Sequence, residues 1–325
     1  MDITYIHSQV GLQKISIPIV KFKGSKPGKT LCLTGGVHGN EVFGMVFLNE
    51  FIEYAKLLSL ETNLAGEIIV IPVLNTLGAR FLERNCGDNA LNRSFKLKNQ
   101  NPELRDLFSK LEKQVFSKVD YLIDFHDSGK QLMLMPHARL DAQNPKAMDL
   151  LKAYGSDFAY LRKPKTGMLS DFLNKRYEIP VITVESGGKQ VANREHLDTA
   201  LNGVMQTLRY YKMYPGVCHL KKANVLQARV AVKSRVTGIL KFHVALGASI
   251  KKGQLLASVI NPRTLKQTQF HSIMDGWVLG RLESSMAVKG EKFMHLVGAK
   301  PLEESLDFKK EVATNRRFKL VKIKM

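Results

Sequence analysis

Cysteine is scarce in this sequence, and its three copies, Cys32, Cys86 and Cys218, are widely spaced and form no C-x-x-C pair. An odd and scattered set of thiols does not fit a disulfide framework, which needs paired cysteines. We therefore expect a reduced, cytoplasmic protein in which the thiols are incidental.

Long apolar runs are also missing. No stretch approaches the roughly 20 apolar residues that a membrane span requires. The first twenty residues lack both the basic region and the continuous apolar region of a secretory signal, so we expect neither a membrane span nor a signal. The chain of 325 residues is 44% hydrophobic and 24% charged, as in soluble globular proteins, and can form one large domain and a small one.

Acidic residues are outnumbered, with 29 Asp and Glu against 49 Lys and Arg, and the formal net charge is +20. Such an excess of positive charge can bind nucleic acid, a membrane surface or an anionic substrate. The basic residues are spread along the whole chain, with a modest concentration in a predicted basic tail, residues 301–325. No nucleic-acid motif accompanies them, so the pattern favours a solvated basic surface and disfavours nucleic acid as a partner. Homo-oligomerisation is left open.

Strand-like and helix-like segments alternate over residues 1–215. Short apolar runs at residues 30–35, 67–73, 120–125 and 180–184 predict buried strands. Apolar residues at helical spacing predict helices, which we place at residues 41–60, 102–118 and 195–213. This alternation predicts an α/β fold with a mixed or mainly parallel sheet covered by helices on its faces.

The sequence pattern changes after residue 215. Residues 216–300 contain short β-like runs separated by glycines, which predict a small all-β domain. Two half-patterns, Ile250-Lys251-Lys252-Gly253 and Val288-Lys289-Gly290, suggest a quasi-symmetric barrel like that of lipoyl or biotinyl carrier modules. Lys266 lies between them without a modification motif, and we interpret it as an ordinary loop lysine.

Two histidines end predicted strands and are candidate metal ligands. His38 and Glu41 lie in the sequence GGVHGNE, between a predicted strand and a predicted helix, and His126 ends the strand that runs into Asp127. Open α/β sheets build their sites at this edge, and two imidazoles with one carboxylate form a catalytic zinc site with a free position. Asp124 or Asp127 could orient an imidazole. Polar surface residues are the alternative interpretation.

Two further segments carry candidate catalytic and binding groups. Glu185, at the end of an apolar strand, could deprotonate a water molecule held by a metal, or could simply cap a loop. Asn92 and Arg93, with Arg84 upstream, could grip a carboxylate through parallel hydrogen bonds. Without context, an Asn-Arg pair more often has no function.

Together, the ordered segments GGVHGNE, LNTLGARFLER with LNRSF, DFHDS and VESGG resemble the succinylglutamate desuccinylase and aspartoacylase family, a branch of the zinc carboxypeptidase superfamily. The resemblance covers roughly residues 28–300. It implies a zinc-carboxypeptidase-like mixed sheet flanked by helices, followed by a small β-rich domain, and one zinc ion per chain. It also implies cleavage of the amide bond of a small N-acyl substrate.

The resemblance implies a role for each matching residue. His38, Glu41 and His126 match the zinc ligands, and Glu185 matches the glutamate that activates water. Asn92 and Arg93 match the pair that binds the substrate carboxylate, and Arg84 matches a substrate or oxyanion arginine.

Ala90 departs from the family pattern, which often has aspartate at that position. This puts one substrate-orienting contact in doubt, unless Asp88 replaces it from the neighbouring turn.

Two other functions fit the same residues. A carboxypeptidase or cell-wall peptide amidase would use the same zinc site on a peptide. A non-catalytic polyanion-binding protein on this fold would account for the net charge, although the intact candidate ligands and Glu185 argue against it. The sequence does not identify the acyl group or the amine.

Overall fold

The computed structural model describes residues 1–96, 101–129, 132–188 and 190–301, and these ranges contain sixteen strands and six α-helices. The strands are β1 (Asp2–Val10), β2 (Gln13–Lys23), β3 (Lys26–Gly35), β4 (Ala65–Ile71), β5 (Tyr121–His126), β6 (Leu132–Leu140), β7 (Phe158–Leu161), β8 (Val181–Gly187), β9 (Asn224–Lys233), β10 (Gly238–Phe242), β11 (Ser249–Ile250), β12 (Leu255–Ile260), β13 (Gln267–His271), β14 (Gly276–Leu282), β15 (Met286–Ala287) and β16 (Lys292–Pro301). The helices are α1 (Phe43–Leu57), α2 (Thr76–Arg80), α3 (Arg105–Gln114), α4 (Pro145–Tyr154), α5 (Leu169–Tyr177) and α6 (Arg194–Tyr210).

Twelve of these strands form one mixed sheet in the order β1-β2-β4-β3-β5-β8-β6-β7-β9-β16-β14-β11. Its centre is parallel, because β3 pairs in parallel with both β4 and β5, and β5 pairs in parallel with β8. β2 and β6 run antiparallel to β4 and β8 on either side. The four parallel strands therefore all end at the same edge of the sheet.

The central strands are buried on both faces, which explains their continuous apolar sequences. In β3, Leu31 and Leu33 pack into a core with α1, α4 and α6, whereas Cys32 between them packs into a second core with α3 and α5. Side chains of a strand point alternately to its two faces, so both cores need apolar residues from the same strand. The predicted α/β fold with helices on its faces is confirmed.

Some element boundaries differ from those predicted. The helix predicted over residues 102–118 is α-helical only over Arg105–Gln114. Residues 102–104 and 116–118 form 3₁₀ turns, and Val115 has φ −124° and ψ −71°, outside the helical region. The first two strands, β1 and β2, were not predicted and form the antiparallel hairpin at one edge.

The region after α6 is all β and contributes to two sheets. Strands β9, β11, β14 and β16 extend the main sheet, since β9 pairs with β7 and β14 pairs with β6. The remaining four form a separate sheet, β13-β12-β10-β15. Lys266 lies exposed in the turn between β12 and β13. The likeness to a lipoyl barrel and the division at residue 215 stay predictions.

The predicted basic tail lies outside the described residues from position 302 onward, and so does the C-terminal strand suggested by FKLVKIKM. Within the described ranges, no helix is long and apolar enough to cross a membrane. Cys32 and Cys86 are buried, Cys218 is half-buried, and all three are free thiols.

Phe47 of α1 packs in the core beneath the edge of the sheet where the parallel strands end. Its side chain is 2% exposed, and its ring lies 4.7 Å, centroid to centroid, from that of Phe125 in β5. We expect Phe47→Ala to lower the free energy of unfolding by about 3–5 kcal/mol, because it leaves a cavity among aromatic side chains. Urea denaturation measures this loss. Leu57→Ala, on the same helix but at an 85% exposed position, is the control and should cost less than about 0.5 kcal/mol. Equal losses for the two variants would contradict this packing.

Candidate metal centre

Three neighbouring parallel strands bring the predicted site residues together. Gly35 at the end of β3 pairs with Phe125, and His126 at the end of β5 pairs with Glu185 in β8. His38 follows β3 by three residues. Because the strands are parallel and adjacent, their carboxyl ends place these side chains around one pocket.

The loop that carries His38 needs its glycines. Gly36 has φ +59°, a left-handed conformation that favours glycine. Gly39 lies against the backbone of α2, where a Cβ atom would come within 2.1 Å of the carbonyl carbon of Gly78. These two positions explain why the GGVHGNE segment is rich in glycine.

His38, Glu41 and His126 are all buried, and their ligand atoms lie within 4.8 Å of one another. The Nδ1 atom of His126 lies 2.7 Å from Glu41 Oε2, and the Nδ1 atom of His38 lies 2.9 Å from Glu41 Oε1. Although His38 Nδ1 is this close, it has no hydrogen-bond partner among the described residues. An unpaired buried nitrogen beside a carboxylate and a second imidazole fits a metal ion.

The pKa values of the three candidate ligands favour positive charge beside the Glu41 carboxylate. Burial lowers the pKa of His38 and keeps it in the neutral form that binds metals. Burial alone would raise the pKa of Glu41, but the imidazoles of His126 and His38 outweigh it and hold the carboxylate ionised. Burial opposes charging of His126, yet the carboxylates of Asp124 and Glu41 raise its pKa well above the ordinary value. The carboxylates therefore stabilise positive charge at His126, and a metal ion bound there would replace the proton.

Asp124 orients the His126 ring through the nitrogen that does not face Glu41. The Nε2 atom of His126 donates to Asp124 Oδ2 at 2.7 Å, and Thr34 Oγ1 donates to the other carboxylate oxygen at 2.7 Å. This fixes the ring so that Nδ1 faces Glu41. Of the two aspartates that the sequence offered for this task, the structure uses Asp124.

Asp127 has a different contact. Its Oδ2 accepts from the backbone N–H of Phe43 at 2.9 Å, at the start of α1, and its Oδ1 accepts from Gly129 N–H at 2.6 Å. A carboxylate at this end of a helix satisfies a free N–H and suits the helix dipole. Burial raises the pKa of Asp127 to about 6.

Arg84 lies against two of the three candidate ligands. Its Nη1 donates to Glu41 Oε1 at 2.7 Å, and its Nη2 lies 3.0 Å from His38 Nε2. The side chain is 51% exposed. Arg84 therefore contacts two candidate ligands and forms part of the pocket wall.

Glu185 lies beside His126 and pairs with an arginine that the sequence did not single out. Its Oε1 lies 2.5 Å from Arg139 Nη1, and Arg139 is on the neighbouring strand β6. The ion pair is largely buried and fixes the direction of the carboxylate.

Asn92 is buried, and Arg93 is exposed at the pocket. The Oδ1 atom of Asn92 accepts from the backbone N–H of Leu169 at 2.9 Å, so its amide nitrogen faces away from that contact and can donate elsewhere. Arg93 Nη1 donates to the carbonyl oxygen of Asn92 at 2.6 Å. The neighbouring Asp88 is exposed and is not among the described residues that line the pocket, so it does not replace the missing aspartate at Ala90.

The three candidate ligands, Arg84, Asn92, Arg93, Asp127, Arg139 and Glu185 line one pocket of about 760 Å³. Its wall contains residues that the sequence analysis did not identify: Arg139, Arg162, Lys163, Lys165, Arg229 and His295. Arg229 and His295 come from the all-β region, from β9 and β16. The second region of the chain therefore forms part of the site.

Comparison with known proteins identifies the family. A profile of the succinylglutamate desuccinylase/aspartoacylase catalytic domain matches residues 27–211, more than half of the chain. The chain belongs to the succinylglutamate desuccinylase/aspartoacylase family. The resemblance of the ordered sequence segments is thereby confirmed.

Other proteins extend the similarity along most of the chain. The N-alpha-acetyl-L-2,4-diaminobutyric acid deacetylase of Halomonas elongata is 26% identical over 260 residues, which are 75% of this chain and 74% of the relative. The product-bound ectoine utilization protein EutE (DoeB) of Ruegeria pomeroyi superposes with a TM-score of 0.69 at 22% identity, covering 91% of this chain and 94% of that one. A succinylglutamate desuccinylase/aspartoacylase of Rhodobacter sphaeroides gives a TM-score of 0.71 at 17% identity, with 92% and 94% covered.

In this family member, the contact between Asp124 and His126 can be tested by metal affinity. We expect Asp124→Asn to weaken metal binding about 10- to 100-fold, because the ring loses the carboxylate that orients it and raises its basicity. Competition with a chelator of known affinity measures the change. Asp120→Asn is the control, since Asp120 pairs with Lys29 at the other end of β5. An unchanged affinity in Asp124→Asn would contradict the assigned contact.

Proposed function

We propose that this chain is a cytoplasmic, zinc-dependent amidohydrolase that cleaves the amide bond of an N-acyl amino acid or a related small carboxylate. The observation that carries the proposal is the convergence of His38, Glu41 and His126 beside Glu185 in one pocket. Membership of a family of deacylases supports the reaction class. The free thiols support the location.

His38 Nδ1, Glu41 and His126 Nδ1 would hold the zinc ion. Two imidazoles and one carboxylate are a ligand set of catalytic zinc sites, and such sites keep a free position. Zinc bound there supplies Lewis acidity and lowers the pKa of a water molecule to about 7.

Glu185 is the proposed general base and acid. It takes a proton from the attacking water and returns it to the nitrogen of the leaving amine, so that one water is consumed and a carboxylic acid and an amine are released. Arg139 supports this role, because its ion pair holds Glu185 Oε1 and directs the carboxylate. Arg84 is proposed to stabilise the negative charge that develops on the carbonyl oxygen, because its guanidinium is half exposed beside the candidate ligands.

Asn92 and Arg93 are proposed to hold the carboxylate of the substrate. The guanidinium of Arg93 is exposed to the pocket, and the amide nitrogen of Asn92 is left to donate. Two donors of this kind fix the substrate so that its amide lies over the metal centre.

The size and charge of the pocket favour a small anionic substrate over a peptide. Its volume of about 760 Å³ lies within the range of small-ligand sites. Its lining contains seven Lys and Arg residues against three Asp and Glu residues, which suits N-acyl compounds that carry a carboxylate. The relative from Halomonas, named for an N-acetyl amino acid, supports the same substrate class.

Replacing Glu185 tests the chemistry separately from metal binding. We expect Glu185→Gln to lower kcat by at least a hundredfold, with about one zinc ion still bound per chain, because the amide cannot take the proton but keeps the shape of the side chain. Initial rates of amine release and metal analysis measure the two properties. Glu53→Gln, an exposed position on α1, is the matched control and should keep normal activity. Near-normal activity of Glu185→Gln would remove Glu185 from its role.

A further inference from the structure

Strand β1 lies at one edge of the main sheet, and its outer side is open to pairing. It pairs with β2 over nine consecutive residue pairs without a register shift, and no other strand of the described ranges pairs with it. Its sequence, DITYIHSQV, contains no proline, lysine or arginine. Natural edge strands use such residues, or bulges, to prevent pairing with another chain. Because β1 lacks these features, its free backbone groups can bind a further strand.

The turn between β1 and β2 determines which backbone groups are free. Val10 and Gln13 close a two-residue hairpin loop whose first residue, Gly11, has φ +56°. The residues that close such a loop exchange hydrogen bonds, and bonded and non-bonded pairs then alternate along the two strands. Every second residue counted back from Val10 therefore bonds to β2, whereas the N–H and C=O groups of Ile3 and Tyr5 point to the outer edge.

A contact from α3 covers the carboxyl-terminal half of this edge. The Nζ atom of Lys110 donates to the carbonyl oxygen of His7 at 2.9 Å and to Asp106 Oδ2 at 2.7 Å. The first bond agrees with the outward direction of the backbone groups of odd-numbered residues. The open part of the edge is therefore the segment that contains Ile3 and Tyr5.

The side chains of this open segment are exposed as well. Ile3 is 46% exposed and Tyr5 is 54% exposed. The two side chains lie on the same face of β1, because they are two residues apart, and the exposed Thr4 lies on the opposite face. A β-branched and an aromatic residue beside free N–H and C=O groups provide both the side chains and the backbone of a strand-pairing surface.

Charge indicates which partner this edge fits. Two copies of a chain with net charge +20 repel each other over most of their surfaces. Residues 1–13 contain none of the 49 lysines and arginines of the chain. The lysines of β2 lie one strand further in, where Lys21 is opposite Asp2. This edge therefore lets two copies approach without bringing basic side chains directly opposite one another.

The free groups are also complementary to themselves. If two β1 strands run antiparallel with Thr4 on a twofold axis, Ile3 of each copy lies opposite Tyr5 of the other. Both residues direct their backbone groups outward, so each such pair exchanges two hydrogen bonds. A twofold axis on Tyr5 would instead require the carbonyl group of His7, which already accepts from Lys110. The axis on Thr4 is thus the arrangement that uses both open residues.

We infer that this chain forms a twofold homodimer in which the β1 strands of two copies pair antiparallel about Thr4 and join the two main sheets. A twofold interface uses the same patch on both copies, as the pairing of Ile3 with Tyr5 does. Strands β2 and β4 separate β1 from β3, β5 and β8, which lead to the candidate metal centre. The dimer is therefore independent of the proposed reaction and can be tested without it.

Sedimentation equilibrium of the full chain at micromolar concentration provides the first test. We expect a mass twice the 36.6 kDa of one chain. A wild-type protein that stays monomeric, with or without a foreign peptide bound at this edge, would overturn the homodimer.

Charge exchange identifies the residues that pair. In Ile3→Lys/Tyr5→Lys and in Ile3→Glu/Tyr5→Glu, like charges lie directly opposite, and we expect each variant alone to raise the dissociation constant at least about tenfold. An equimolar mixture of the two variants should form a heterodimer, which native mass spectrometry resolves. Gln9→Lys/Leu12→Lys adds the same charge to the same hairpin outside the paired segment and should stay dimeric. Charge variants that dimerise alone as tightly as the wild type, or that form no heterodimer when mixed, would contradict the pairing.

A disulfide tests the position of the axis. In the inferred dimer, Thr4 and its symmetry mate form a pair without mutual hydrogen bonds, with Cα atoms about 4.5 Å apart, which a disulfide can span. Mild oxidation should therefore link Thr4→Cys into a covalent dimer on a non-reducing gel. Gln9→Cys, which is also exposed, should stay unlinked, and the wild type measures any linkage through Cys218. Equal linkage of the two variants, or none in Thr4→Cys, would overturn the axis on Thr4.

Discussion

The carboxylate of Glu41 is 4% exposed and lies between two imidazoles. Because it is buried, it requires the charged and hydrogen-bonding partners that surround it. A charge withdrawn from water is costly unless it is paired and hydrogen-bonded. Here His38, His126 and Arg84 surround it, and the backbone N–H of Asp127 donates to it at 3.3 Å. A cation at this point completes the pairing, so the cluster is arranged for a metal ion.

The parallel sheet makes this arrangement rigid. The loop after β3 and the ends of β5 and β8 carry His38, His126 and Glu185, and the strands are buried between two apolar cores. Asp127 links the site to α1 by accepting the N–H of Phe43. His126 and Glu185 lie at strand ends, so their geometry depends on packing, whereas His38 and Glu41 depend on the glycine-containing loop between β3 and α1. The all-β region then adds Arg229 and His295 as one wall of the pocket.

Much of the centre could be predicted from sequence because each of its residues is tied to a strand end. His38 and Glu41 follow an apolar strand with glycines, and His126 closes another, so parallel pairing alone brings them together. Arg139, Arg162 and Arg229 could not be predicted. Each is a single basic residue in a chain that has 49, and nothing local distinguishes it. Their convergence depends on how β6, β7 and β9 are ordered in the sheet, which is a tertiary property. The length of α3 was mispredicted because apolar spacing continues past Val115, where the backbone leaves the helix.

The central claim is that the His38, Glu41 and His126 cluster holds a zinc ion that the hydrolysis of an N-acyl amino acid requires. Metal analysis of the purified protein, paired with amine release from a panel of N-acyl amino acids before and after treatment with a chelator, tests it most directly. The account predicts about one zinc per chain and amine release that the chelator abolishes and added zinc restores. Protein that binds no metal after reconstitution, or that releases amine equally well without it, would contradict the account.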